Sequence, residues 1–135
     1  MSLIKGIYAA TISVINENFS LNIDKTIKHA ENIIDYGCHG VVFFGSTGQS
    51  QLVSLSEKIQ LINKLPLSNY RDKFIIGTGS NSLLDTISLM RISLNLGFNK
   101  FLIMPPAYYK YEDNDVINFY SKIINELREC KIILY

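Results

Sequence analysis

The sequence predicts an α/β protein built on a parallel sheet, and three features of its patterning predict it. Apolar runs recur at Ile7 to Ile12, Val41 to Phe44, Phe74 to Ile76, Phe101 to Met104 and Ile132 to Tyr135. A helix-like segment fills each interval, giving a repeat of about 30 residues. The runs are nearly continuous rather than alternating, as expected of strands covered on both faces. Two architectures satisfy the order βαβαβαβαβ: a doubly wound sheet, or the first part of a (βα)8 barrel, which normally needs about 250 residues. Length alone favours the first.

The stretch from Met1 to Ile15 is interrupted by Lys5 and Gly6 and lacks a small-residue cleavage site, so it reads as the first strand rather than a leader. A first helix is expected over Ile23 to Tyr36, with Ile23, Ile27, Ala30 and Ile34 on one face and Gly37 as its stop. The second begins at Ser54, which forms a capping box with Glu57, carries Leu55, Ile59 and Ile62 toward the core, and ends at Pro66. A third spans Leu83 to Leu96 before Gly97, and a fourth Asp115 to Arg128 with Ile117, Tyr120, Ile124 and Leu127 inward. No linker or low-complexity segment divides the chain, so residues 1–135 are read as one domain.

Composition narrows the function. Hydrophobic residues make up 47% of the 135 residues, charged ones 19%, and the net charge is +1. Such a balance offers no basic field for nucleic acid and points to a small-molecule or protein partner. No apolar run approaches the roughly 20 residues of a membrane helix. Cys38 and Cys130 are far apart without metal spacing, which predicts reduced thiols in the cytoplasm. Both precede strands, as does His39, while His29 is expected on a helix surface, and none of the four is assigned a functional role.

In either architecture ligands bind at the C-terminal ends of the strands. The residues there are Gly45-Ser46-Thr47-Gly48-Gln49-Ser50, then Thr78-Gly79-Ser80-Asn81, then Pro105-Pro106-Ala107-Tyr108-Tyr109, and finally Tyr135. The glycines of the first loop let a backbone turn sharply and offer N–H groups to a carboxylate or phosphate. The mouth is rich in hydroxyls and poor in carboxylates. Adjacent hydroxyls both donate and accept hydrogen bonds, so they can pass a proton along a chain.

Gly45-Ser46-Thr47-Gly48-Gln49-Ser50, Gly77-Thr78-Gly79-Ser80-Asn81, Pro106-Ala107-Tyr108-Tyr109-Lys110 and Ile132-Ile133-Leu134-Tyr135 together resemble consecutive landmarks of the dihydrodipicolinate synthase and N-acetylneuraminate lyase family. The resemblance covers essentially the whole chain. It implies a (βα)8 barrel, of which this chain supplies about the first five strands and four helices, and a pyruvate-dependent class I aldolase or lyase acting on pyruvate and an aldehyde. Thr47 and Gly48 are then expected to bind the pyruvate carboxylate, and Ser46 and Tyr135 to form a proton relay. The resemblance assigns the third relay member to Tyr109, with Tyr108 as the fallback, contributed across a dimer interface in a homodimer or homotetramer. No metal or organic cofactor is implied, because a protonated Schiff base is itself the electron sink.

The family's Schiff-base lysine belongs to the sixth strand, so these 135 residues are expected to be inactive alone. Gln49 stands where the family usually has glutamate, Ala107 where an aromatic is common, and Tyr111 where proline often follows. Two other readings remain open at this stage: a flavodoxin-like FMN-binding electron carrier and a non-catalytic barrel fragment that binds another chain. The flavodoxin phosphate loop follows the first strand, whereas this loop follows the second and Tyr8 to Thr11 supply none.

Overall fold

A computed structural model describes residues 4–135, so Met1, Ser2 and Leu3 of the expected first stretch lie outside the described residues. Five strands, β1 (Tyr8–Ala10), β2 (Gly40–Phe43), β3 (Phe74–Gly77), β4 (Lys100–Ile103) and β5 (Lys131–Leu134), alternate with four helices, α1 (Ile23–Asp35), α2 (Leu55–Lys64), α3 (Leu83–Asn95) and α4 (Asp113–Glu126). All neighbouring strands are parallel, and their order in the sheet is β1-β2-β3-β4-β5. A doubly wound sheet reverses direction after its first strands, whereas a barrel adds every strand on the same side. The sequential order therefore agrees with the barrel that the resemblance implies and removes the doubly wound sheet that length alone favoured, and with it the flavodoxin-like reading.

Register decides which side chains share a face. Val41 lies beside Phe74, Phe43 beside Ile76, and Ile76 beside Phe101. These residues face the helices and pack with Ala30, Ile34, Leu61, Ile62, Leu89 and Met90, all of them buried. Phe43 meets Phe74 edge to face at 5.2 Å between ring centroids. Val42, Ile75, Gly77 and Leu102 alternate to the opposite, concave face of the sheet.

The helix boundaries have local causes. Asn22 caps α1 by accepting from the Lys25 N–H, and Ser54 and Glu57 form the expected capping box at α2. Glu57 also accepts the Leu21 N–H at 2.7 Å, which ties the end of the β1–α1 loop to α2. Pro66 sits in a single 3-10 turn, Leu65–Leu67, beyond the end of α2. The fourth helix starts two residues earlier than its sequence suggests, because Glu112 and Asp115 build a capping box of their own.

The inward face of α4 also differs from expectation. Phe119, Ile123 and Leu127 are buried and Tyr120 is half-buried, while Ile117 and Ile124 are 59% and 49% exposed. The helix carries two adjacent apolar stripes, and periodicity alone does not say which one faces the sheet. Tyr120 is held by its hydroxyl, which donates to the Ile103 carbonyl at 2.8 Å. That same carbonyl accepts the Tyr135 N–H at 3.1 Å, so α4 helps to seat the end of β5.

Candidate active site

The loop after β2 begins with a reversal of the chain. Phe44, expected as a strand residue, leaves the strand in the left-handed region at φ 57°, and Gln49 follows at φ 49°. Both Gly45 and Gly48 are buried, whereas Ser46 and Thr47 are exposed. A Cβ on Gly48 would lie 3.0 Å from the Thr11 carbonyl oxygen and 3.3 Å from the Phe44 nitrogen, so glycine allows the loop to fold down onto β1. The Ser13 hydroxyl fixes it there by donating to the Gly48 carbonyl at 2.6 Å. Packing beneath the turn leaves the hydroxyls of Ser46 and Thr47 at its outer edge.

Ser46 and Tyr135, separated by 89 residues in sequence, share a hydrogen bond between their hydroxyls. Parallel register brings the C-terminal ends of β2 and β5 to the same mouth of the sheet. The pair opens into a cavity of about 380 Å³ whose walls include Phe44, Ser50, Gln51, Gly79, Leu102 and Met104. Polar groups here sit against an apolar concave wall, the usual composition of a small-molecule site. The sequence singled out both hydroxyls, and the structure joins them.

Tyr108 and Tyr109 stand apart from that pair. Their rings pack edge to face at 5.0 Å, and the residues are 90% and 71% exposed. Tyr108 adopts φ 86°, a conformation that strains any residue with a side chain. The loop after β4 therefore presents two adjacent aromatic side chains to the outside. Leu52, between β2 and α2, and Leu84, in the first turn of α3, are also largely exposed, at 80% and 77%.

Lys58 escaped the sequence reading. It is 3% exposed, and its ammonium donates to the Thr78 carbonyl at 3.0 Å and the Gly79 carbonyl at 3.1 Å. Burial lowers its pKa to about 8, opposed in part by the negative charge of Asp85. The available signal was its position, since Leu55, Lys58, Ile59 and Ile62 form one helical face with a lysine on it. Gln51 acts on the same turn through its side-chain N–H, which donates to the Gly79 carbonyl at 3.1 Å.

The other titratable candidates fall elsewhere. His39 accepts the Ile7 N–H through Nδ1 at 3.0 Å, at the opposite end of the sheet from the Ser46 loop. His29 is half-buried rather than on the surface, and Cys130 is buried, which raises its pKa. Among the described residues, no three His, Cys, Asp or Glu side chains cluster as metal ligands would. No helix among them is long and apolar enough to cross a membrane.

A single-direction parallel βα array defines a portion of a (βα)8 barrel, and its hydroxyl-lined cavity lies at the strand ends where such barrels bind ligands. The chain belongs to the dihydrodipicolinate synthetase family, which it matches over residues 3–135. It is 29% identical over 130 residues to a 4-hydroxy-tetrahydrodipicolinate synthase of Prochlorococcus marinus, covering 96% of this chain and 43% of that one. To an N-acetylneuraminate lyase of Clostridium perfringens it is 28% identical over 135 residues, covering 97% and 46%. The chain thus spans less than half the length of these curated relatives. The crystal structure of dihydrodipicolinate synthase from Agrobacterium tumefaciens superposes with a TM-score of 0.87 at 24% identity, over 96% of this chain and 47% of that one, and shows the shared barrel fold.

Proposed function

We propose that this chain contributes the carboxylate-binding loop and two hydroxyls of the proton relay to a class I aldolase or lyase that acts on pyruvate and an aldehyde, most like dihydrodipicolinate synthase. The observation that carries the reading is the hydrogen bond between Ser46 and Tyr135 at the cavity mouth. In this chemistry a lysine amine condenses with the keto group of pyruvate and releases water. Loss of a methyl proton from the resulting iminium gives an enamine, whose carbon bonds to the aldehyde carbon. The aldehyde oxygen takes up a proton, and hydrolysis of the new iminium frees the amine. Each proton must be carried to or from the bound intermediate, and paired hydroxyls can do so without a carboxylate that would repel pyruvate.

Thr47 and the backbone N–H groups around Gly48 hold the substrate carboxylate in this proposal, and no metal or organic cofactor takes part. The condensing amine is assigned outside these residues. Lys58 is buried and already donates to two carbonyls, and Lys73, Lys100 and Lys131 stand at the starting ends of their strands. Either Tyr108 or Tyr109 supplies the third relay hydroxyl to the site of a second copy, which suits their exposure on the chain that carries them. The strained backbone favours Tyr108, since such conformations persist where the surroundings hold a side chain in a required place.

Borohydride reduction in the presence of pyruvate tests the reaction. The full-length protein is expected to gain one covalent adduct with the mass of reduced pyruvate imine, and tryptic mapping should place it on a lysine outside residues 1–135. A full-length protein that gains no adduct would overturn the proposal. Phenylalanine substitutions at Tyr108 and Tyr109 then separate the two candidates, because only the relay residue should lower kcat without changing adduct formation at equilibrium.

A further inference from the structure

Behind the Ser46 loop lies a set of contacts that the proposed chemistry does not use. Lys58 of α2 reaches the turn after β3 and donates to the carbonyls of Thr78 and Gly79. The same ammonium lies 5.8 Å from the centroid of Phe44, the residue at which the Ser46 loop leaves its strand. Two residues beyond Gly79, the Asn81 side-chain oxygen accepts the Ala107 N–H at 2.9 Å. Ala107 immediately precedes Tyr108, whose backbone is strained.

The turn that Lys58 grips has little freedom of its own. Gly79 lies at φ 48°, and a Cβ there would stand 2.1 Å from the Ser50 hydroxyl oxygen. Gln51 donates to its carbonyl as well. The grip is therefore made by two side chains from the β2–α2 segment onto a turn that approaches that segment closely. Asp85 of α3 is the charged group that acts on the ammonium, and it favours the protonated form.

We infer that Lys58 is a positioning residue that couples the two loops of the site: it fixes the Thr78–Gly79 turn, and Asn81 carries that placement to Ala107 and so to the backbone of Tyr108. The inference rests on the aldolase reading only for its consequence in turnover. The mechanical part, from Lys58 to Tyr108, stands on these hydrogen bonds and the short backbone segments that join them, independently of that reading. Hydrogen bonds of this kind hold two loops in one relative pose at a modest free-energy gain each.

Amide hydrogen exchange on the full-length protein, resolved to single residues, tests the coupling without requiring catalysis. Lys58→Met and Asn81→Ala are each expected to speed exchange of the Ala107 amide, which donates to Asn81, by about fivefold to tenfold, the factor expected when one protecting hydrogen bond is lost. The double variant should exchange no faster there than Asn81→Ala alone, because the two act in series. Asn81→Asp keeps an acceptor oxygen and should restore protection. In turnover assays Lys58→Met and Asn81→Ala should lower kcat with little change in KM for pyruvate, and Asn81→Asp should recover it.

Exchange that changes only between Thr78 and Ser82 in Lys58→Met would overturn the inference. So would an Asn81→Asp variant as unprotected as Asn81→Ala. Should Lys58→Met fail to fold, the Asn81 variants decide, since Asn81 is exposed and its replacement leaves the core intact. Failure of the aldolase reading would show as a missing pyruvate adduct in the unmodified protein and would leave the exchange results unaffected.

Discussion

Burial of Lys58 makes the stability of the chain depend on pH in a direction that a surface lysine would not produce. Its pKa falls from the ordinary 10.5 to about 8 because burial disfavours the ammonium, with Asp85 restoring part of the difference. The folded chain therefore gives up this proton at lower pH than the unfolded chain does. Between those two values the unfolded state binds the additional proton, so stability must rise as pH rises. Below about pH 8 both states are protonated and the contribution is flat. Integration from about pH 7 to about pH 9.5 gives a gain of about 2 kcal/mol for this one group.

Lys58→Met removes the titration while keeping an unbranched side chain in the same space. Its effect at any single pH combines lost hydrogen bonds with a relieved charge, so the informative quantity is the difference in slope. Urea unfolding followed by far-ultraviolet circular dichroism at the two pH values would give that difference for both proteins. Ionisation of the tyrosines is common to them and cancels. The wild type is expected to gain about 2 kcal/mol relative to Lys58→Met as pH rises. Parallel pH profiles would refute the reasoning, as they would mean that Lys58 is solvated when folded.

Gly79→Ala should destabilise the chain by about 2 kcal/mol or more, since it combines a left-handed backbone with a side-chain clash. The Cβ would fall 2.1 Å from the buried Ser50 hydroxyl, and urea midpoints equal to wild type would show that the turn relaxes freely. Tyr135→Phe, at a residue 61% exposed, should change stability by less than about 0.5 kcal/mol. In the full-length protein the same change should lower kcat by about 100-fold if the hydroxyl relays protons. A loss of activity matched by an equal loss of folded protein would instead assign Tyr135 to packing.

Much of the fold is legible in local patterning. Apolar runs at Val41, Phe74, Phe101 and Ile132 each became a strand, and Asn22, Ser54 and Pro66 mark helix ends by chemistry that acts within a few residues. Tyr135 and Ser46 could be named because they follow strands, where a parallel sheet exposes its loops. The face of α4 could not be read, because Ile117 and Ile124 compete with Phe119 and Ile123 for the same helix and only contact with the sheet chooses between them. The run ending at Phe44 looked continuous, yet its last residue turns into the left-handed region to start the loop.

The sequence by itself determined a parallel α/β chain, the approximate extent of each element, and a mouth of hydroxyls at the strand ends. Those properties depend on neighbours along the chain: strand propensity, helical periodicity and capping. The resemblance implied strands that add in one direction and a pairing of Ser46 with Tyr135, and the tertiary structure has that strand order and a hydrogen bond between the two hydroxyls across 89 residues; it alone decided that Lys58 is buried against the Thr78–Gly79 turn. Each of these depends on sheet register and on how closely α2 packs beside β3. Both are set by contacts between segments far apart in the chain, where no local pattern records them.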